Sequence, residues 1–255
     1  MHPSQKQQVL ALLKSIETGD AGPVSSINPS KYIQHNLAVG DGLAGFGQVL
    51  AQLPKGSARV NTVRIFQDGD HVFAHTEYNF FGPKIGFDVF RFEDGRIVEH
   101  WDNLQETPNQ PNPSGRTMVD GETQVSDLHL TDANKALVKR FVDDILVNGR
   151  MSLLAGYFDG DNYLQHNPQI GDKLSGLGAA LQEMAQRGLT MKYDTVHKVL
   201  GEGNFVLTIS EGHFAGRHVA FYDLFRVSDG KIAEHWDTIE EIPQPAAWKN
   251  ANGKF

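Results

Sequence analysis

Two stretches carry the side chains best suited to chemistry. The run "VEHWDNLQETP" (Val98 to Pro108) returns as "AEHWDTIEEIP" (Ala233 to Pro243), so an imidazole and a carboxylate stand two residues apart twice, as His100 with Asp102 and as His235 with Asp237. On an extended chain that spacing puts both groups on one face. Just upstream, "FDVFRFEDGRI" (Phe87 to Ile97) and "YDLFRVSDGKI" (Tyr222 to Ile232) contribute Asp88 with Phe90 and Asp223 with Phe225. Further back, "YIQHN" (Tyr32 to Asn36) and "YLQHN" (Tyr163 to Asn167) offer a phenol, an imidazole and an amide each.

An apolar face that carries two carboxylates and an imidazole is costly to bury without partners, so a pocket holding water or ligand is the economical reading. In such surroundings the charged form of a carboxylate is disfavoured. Asp102 and Asp237 then become stronger proton acceptors than exposed aspartates, with His100, His35, His235 and His166 placed to hold or relay a proton. These six are the catalytic candidates. Tyr32, Asn36, His75, Asp88 and Phe90, with Tyr163, Asn167, Asp223 and Phe225 in the later half, are the ligand-binding candidates. Structural readings compete with this one. The histidines of "QHN" could tie a turn to a sheet, His100 with Asp102 could be a hydrogen-bonded brace, and Trp101 and Trp236 read as packing on the sheet's back.

The elements that must position these groups come in two copies. Tyr32 and Tyr163 are 131 positions apart and His100 and His235 are 135 apart, a drift that short loop insertions explain. Collinearity over most of each half points to duplication of a whole domain. Between the copies, "ETPNQPNPSGRTMVDGETQVSD" (Glu106 to Asp127) is rich in Pro, Gly, Asn and Ser and reads as a linker. The expected organisation is a domain over 1–108, a linker over 109–127 and a second domain over 128–255. The second starts with Thr131 and Asp132 as N-caps of an amphipathic helix that Gly149 stops. Within each half the order is helix, short helix, the "QHN" turn, a further helix (Leu43 to Leu53; Gly176 to Gln186) and four strands. In the first half the strands are expected near Ala58–Phe66, His71–Phe80, Ile85–Phe92 and Arg96–Leu104. Helices followed by a meander predict an α+β domain, an antiparallel sheet packed by helices and curved into a cone.

Sidedness depends on the turn "EDGR". A two-residue loop at Asp94-Gly95 would set Asp88 opposite Trp101, whereas a three-residue loop with Gly95 in the left-handed region sets Phe92 opposite Arg96 and Asp88 opposite His100. The three-residue loop is favoured, because it gathers Asp88, Phe90, Phe92, Val98, His100 and Asp102 on one face. It leaves Arg91 and Glu99, like Arg226 and Glu234, on a solvated or interfacial back.

Composition narrows the function classes. The 255 residues are 40% hydrophobic with net charge −8, and no dense Lys/Arg run suits a phosphate backbone, so neither nucleic acid nor an anionic membrane surface is an expected partner. Cysteine is absent, which removes disulfides, thiolate ligands and a cysteine nucleophile. The opening residues read as a helix, no run approaches the roughly 20 apolar residues of a membrane span, and a soluble cytoplasmic protein is expected.

At these motifs the chain resembles the SnoaL-like polyketide cyclases, in particular the subgroup of predicted aldol-condensation-catalysing proteins, within the nuclear-transport-factor-2-like superfamily. The carriers are "YIQHN" with "GDGLAGF" and "DVFRFEDGRIVEHWDNLQ", then "YLQHN" with "GDKLSGL" and "DLFRVSDGKIAEHWDTIE". The resemblance implies two tandem cone-shaped (cystatin-like) α+β barrels that pair as a pseudo-dimer, with further self-association open. It also implies an aspartate acid/base, matched by Asp102 and Asp237, that works without metal or cofactor, and a pocket lined by His35 and His166. The copies differ at His75/Ile209, Asn79/His213 and Gly42/Lys173.

Three functions are weighed. The leading one is cofactor-free proton abstraction next to a carbonyl of a small, mostly apolar molecule, followed by aldol closure, isomerisation or lysis, with His35, His100 or Tyr32 steadying the enolate. A binding module with the same pocket and no reaction is its rival. A divalent-metal site built from His35, His75, His100 and Asp102 or Asp88 is the third.

Overall fold

The computed structural model describes residues 3–53 and 56–255; Met1 and His2, at the start of the stretch read as the first helix, lie outside them. The chain divides into two compact units. Unit 1 is Met1–Thr107 with Pro243–Phe255, and unit 2 is Pro108–Ile242. The segment after each sheet's last strand therefore belongs to the other unit, which differs from the expected 1–108, 109–127 and 128–255. Residues 109–127 lack apolar periodicity yet are anchored: Asn112 donates to the carbonyls of Gln165 (2.7 Å) and Ile170 (3.0 Å), and Met118 is buried.

Unit 1 runs α1 (Gln5–Thr18), a 3-10 turn (Gly22–Ser26), β1 (Ile33–Gln34), α2 (Gly42–Gln52), β2 (Arg59–Asp68), β3 (His71–Asn79), β4 (Pro83–Glu93) and β5 (Arg96–Glu106). Ser4 and Gln7 form a reciprocal cap at the start of α1, Gly19 ends it at φ +72°, and Val9, Leu12 and Leu13 form its buried stripe. Unit 2 repeats the plan with α3 (Thr131–Phe141), a π-helical turn (Val142–Val147), a 3-10 helix (Met151–Tyr157), β6 (Leu164–Gln165), α4 (Lys173–Gln186), β7 (Met191–Glu202), β8 (Phe205–Phe214), β9 (Arg217–Ser228) and β10 (Lys231–Glu241). Thr131 is the first residue of α3 and does not cap it; its hydroxyl donates to Leu128 O and accepts from the Gly203 N–H.

Both sheets have five strands, in the orders β1-β5-β4-β3-β2 and β6-β10-β9-β8-β7. The long strands pair antiparallel as expected. The two-residue strands β1 and β6 pair parallel with β5 and β10, setting Gln34 beside His100 and Gln165 beside His235.

The hairpin turn is the two-residue alternative and not the favoured three-residue loop. Asp94 and Gly95 both have positive φ, Glu93 faces Arg96, and the loop has two residues. A bulge then follows, the register shifting so that Arg91 faces Glu99, Phe90 faces His100 and Asp88 faces Asp102. One extra strand residue changes parity as one extra loop residue would. The expected sorting of Asp88, Phe90, His100 and Asp102 to one face therefore holds on a different turn. Unit 2 repeats it, with Asp229-Gly230 as the loop, a shift between Ile232 and Glu234, and Asp223 facing Asp237.

Helices cover this same face. Val9, Leu12 and Leu13 of α1 pack with Val72, Ala74, Tyr78, Phe90 and Phe92, and Leu43 and Phe46 of α2 lie against them. In unit 2, Val138, Phe141 and Ile145 pack with Val206, Phe225 and Val227. Each polar cluster is thus enclosed between sheet and helices.

Candidate active site

The side chains on the covered face form one network, built twice. In unit 1, His100 Nε2 lies 3.1 Å from Asp88 Oδ1, His100 Nδ1 lies 3.0 Å from Gln34 Oε1, and Asn36 donates to Asp102 Oδ2 at 2.7 Å. In unit 2, His235 Nε2 lies 3.0 Å from Asp223 Oδ1, His235 Nδ1 lies 2.9 Å from Gln165 Oε1, and Asn167 donates to Asp237 Oδ2 at 2.7 Å. Phe90 stacks on His100 with centroids 4.5 Å apart, and Phe225 packs on His235 at 4.8 Å.

The glutamine fixes the imidazole. Gln165 Oε1 accepts from the backbone N–H groups of His166 and Asn167, so His235 Nδ1 beside it must be the donor. Nε2 then faces a carboxylate and holds that bond by carrying a proton. Burial opposes a charged imidazole, but the hydrogen bond to Asp223 and the charges of Asp237 and Asp223 outweigh it, and the His235 pKa is raised. His235 with Asp223 is a buried, hydrogen-bonded pair.

Asp237 is the remaining acid. Burial pushes its carboxyl up to about 6, with His235 opposing and Asp223 adding to the rise. Asn167 holds one oxygen, and the other, Oδ1, is buried without a hydrogen-bond partner. Tyr163 sits close enough that, after burial, the fields of Asp237 and Asp223 raise its phenol; in unit 1 burial, Asp102 and Asp88 act on Tyr32 in the same way. The structure thus brings together Asp88, Phe90, His100, Asp102, Asn36 and Tyr32, and likewise Asp223, Phe225, His235, Asp237, Asn167 and Tyr163.

It does not bring His35, His166 or His75 to these clusters. His35 follows Gln34 on a strand, so it points to the opposite face, where Nε2 lies 2.9 Å from Glu99 Oε1, Nδ1 lies 2.9 Å from the Gly253 carbonyl, and the ring stacks on Trp101 at 4.7 Å. His166 does the same with Glu234 (2.8 Å), the Thr117 carbonyl (2.9 Å) and Trp236 (4.8 Å). His75 pairs with Phe87 across the strands and contacts Arg64 on that same back face. Nor is the back a solvated row of charges: the Glu234 side chain is only 1% exposed, held by His166 and by Arg226 at 2.7 Å.

Two contributors were missed by sequence reasoning. Gln34 and Gln165 lay inside the quoted motifs, and strand parity would have placed them with His100 and His235 had the parallel pairing been foreseen. The others are phenols. Tyr78 on β3 donates to Asp88 Oδ2 at 2.8 Å, and Tyr193 on β7 donates to Asp223 at 3.2 Å. These tyrosines are not equivalent, since sheet register matches Tyr78 with Gly212, which pairs with Tyr193. Each phenol has its own surroundings. A Cβ at Gly86 would fall 2.4 Å from the Tyr78 ring, while in unit 2 Tyr193 stacks on Phe221 at 4.1 Å and a Cβ at Gly212 would fall 2.0 Å from the Lys192 carbonyl oxygen.

For a metal, the groups whose ligand atoms lie within 4.8 Å of one another are Asp88, His100 and Asp102, and Asp223, His235 and Asp237. His35 and His75, expected in such a site, are on the other face. A cation at His235 Nε2 would have to displace the proton bound toward Asp223.

Residues 138–235 match the family described as SnoaL-like domain. The match takes in Tyr163, Gln165, Asn167, Tyr193, Asp223 and His235 and ends two residues before Asp237. Among solved structures, the chain is similar to TsrD from Streptomyces laurentii (19% identity, 41% of this chain and 92% of that one, TM-score 0.35). It is also similar to a SnoaL-like polyketide cyclase from Agrobacterium tumefaciens str. C58 (13%, 42% and 91%, 0.33) and to a protein of unknown function with cystatin-like fold from Xanthomonas campestris (20%, 46% and 98%, 0.36). No curated protein matches. The matched unit and its counterpart share strand order, register and the core of the site network, and each is an α+β domain. Among the described residues, no helix is long and apolar enough to cross a membrane.

Proposed function

We propose that this protein is a SnoaL-like small-molecule enzyme that moves a proton next to a carbonyl, using its own acid and base groups. In unit 2 the base is Asp237. Asp237 Oδ1 takes the proton from the carbon alpha to the carbonyl, the C–H electron pair moves into the carbonyl as an enolate, and the His235 imidazolium lies beside the developing negative charge. Attack of the enolate carbon on a second carbonyl closes a ring; return of the proton at another carbon isomerises the molecule. The apolar side chains around the network favour a small, mostly apolar substrate. The rival reading, a binding module that runs no reaction, shares every contact but needs no carboxyl poised near neutrality.

One observation carries the reading: a buried carboxyl with a pKa of about 6 keeps one oxygen free of protein hydrogen bonds while an amide anchors the other. Deuterium uptake at the alpha carbon of cyclic ketones and β-diketones in D2O tests it without requiring the natural substrate. Wild-type protein is expected to accelerate uptake, and Asp237→Asn to lower the rate by about 100-fold or more, the usual scale of general-base catalysis. Uptake that is equal in wild type and Asp237→Asn would rule Asp237 out as the base.

A further inference from the structure

The two networks share the imidazole, glutamine, amide and aspartate contacts, and they differ at the residue after each tail carbonyl. His35 Nδ1 is bonded to the Gly253 carbonyl and His166 Nδ1 to the Thr117 carbonyl, each at 2.9 Å, which makes Gly253 and Thr117 equivalent within their own units. The next residues are Lys254 in unit 1 and Met118 in unit 2, and both are buried. Lys254 Nζ lies 3.8 Å from Asp102 Oδ1, too far for a hydrogen bond and within range of an ion pair. That oxygen is the counterpart of Asp237 Oδ1, since Asn36 and Asn167 hold the other oxygen of each acid.

We propose that the duplicated chain works from one site only: Asp237 in unit 2 meets the substrate, while in unit 1 the C-terminal tail delivers the Lys254 ammonium to the oxygen of Asp102 that a substrate would have to approach. The proposal rests on the reading of Asp237 as the reacting group. Three features support it. The ammonium stands on the reacting side of Asp102, so a ligand proton and Lys254 compete for one oxygen. A charged side chain that is 5% exposed has the Asp102 carboxylate within ion-pair range. Finally, the tail is docked firmly: Asn250 donates to the carbonyls of Asn36 (2.8 Å) and Val39 (3.0 Å), and Asn252 donates to the Gln34 carbonyl (3.0 Å) and to Asp41 (2.8 Å). Those bonds fall on the strand and loop that carry Gln34 and Asn36, so the tail clamps the first site as it fills it. Lys254 is therefore a positioning residue that sets which of the two acids can meet a ligand.

The test counts binding sites with 2-naphthol, an apolar ring with one hydroxyl to donate to a carboxylate oxygen, by isothermal titration on the full chain. Wild type is expected to bind one equivalent, Lys254→Met two, and Met118→Lys none. The reciprocal pair keeps the question open to refutation if either variant alone fails to fold, with circular dichroism checking each. Two equivalents in wild type, no binding in wild type, or a count unchanged in folded Lys254→Met would overturn the proposal. Ketone deuteration then separates this inference from the reading beneath it. Restored uptake in Asp237→Asn/Lys254→Met, at 10-fold or more above Asp237→Asn, supports both. The expected naphthol counts with no ketone exchanged in any variant would leave the asymmetry standing and remove the proton-transfer reading. Asp237→Asn retaining half of wild-type uptake would show unit 1 at work and overturn the asymmetry.

Discussion

Replacing Asp237 by asparagine should make unit 2 more stable at neutral pH and leave it nearly unchanged in acid. The Asp237 carboxyl is raised from 3.8 to about 6, chiefly by burial. Because the folded value lies above the unfolded one, the folded state binds the extra proton between them, and stability falls as pH rises from about 4 to about 6 and stays lower above that. A gap of about two pKa units at 1.36 kcal/mol each amounts to about 3 kcal/mol of stability lost at pH 7.5. The raised His235 imidazole acts in the same direction, its contribution being complete below about 6.5 and lost as pH climbs through its higher folded value. Asparagine keeps an oxygen to accept from Asn167, carries no charge, and turns an amide N–H toward the Asp223 side of the cluster. At roughly 2–4 °C per kcal/mol, the transition of unit 2 should rise by about 6–12 °C at pH 7.5, with the difference shrinking toward zero near pH 4. Scanning calorimetry of both proteins from pH 4 to 8 measures it directly. A lower transition for Asp237→Asn at pH 7.5, or a difference that does not vary with pH, would refute the argument that this acid is held ionised at a cost. The gain in stability should accompany the loss of ketone deuteration, as expected where a site carries strain for function.

Gln165→Leu removes the acceptor of the Asn167 N–H and of His235 Nδ1–H, while the His166 N–H keeps the His235 carbonyl, and it should cost about 2–6 kcal/mol in urea unfolding at roughly 1–3 kcal/mol per orphaned buried group. A loss below 1 kcal/mol would mean that the glutamine is incidental to the imidazole's orientation. Lys173 has φ +73° where its counterpart Gly42 has +70°, so Lys173→Gly should gain about 1 kcal/mol by relieving a left-handed side-chain residue, and an unchanged or lower denaturation midpoint would contradict this.

How far the sequence reached depended on whether a feature followed from parity. The alternation of Asp88, Phe90, His100 and Asp102 is a period-two pattern, and it survived an incorrect turn because a bulge near Val98 shifts register by the same single residue. The same rule, applied to "YIQHN", would have set Gln34 inward and His35 outward, but only if residues 33–34 were known to pair with β5; a two-residue parallel strand leaves no periodicity to detect. Burial of the tails was illegible for a related reason. Met118, Lys254 and the clamping asparagines 112, 250 and 252 are isolated anchors in Pro- and Gly-rich segments, held by side-chain bonds to carbonyls instead of by an apolar stripe. Charge patterning misled where it ignored neighbours, since Glu234 looked like one half of a surface pair with Arg226 until His166 arrived from another element to bury it.

The phenols bear on whether the network is a relic of duplication or a working part. Copying a domain reproduces side chains at equivalent positions, and later drift removes those that nothing requires. Tyr78 and Tyr193 are not equivalent, yet each delivers a hydroxyl to the aspartate that holds the imidazole, one from β3 and one from β7. Gly86 lies under the Tyr78 ring, while Tyr193 stacks on Phe221, the residue that stands in unit 2 where unit 1 has Gly86. A buried aspartate that lost its phenol would be left with the imidazole alone, at a cost of about 1.5–3 kcal/mol for a hydrogen bond to a charged group. That penalty explains why a phenol is present, and it applies to unit 1 as fully as to unit 2. The phenols therefore mark the His–Asp pair as the part both units must keep, while the outer acid, paired with Lys254 in one unit and left open in the other, is the part that has diverged.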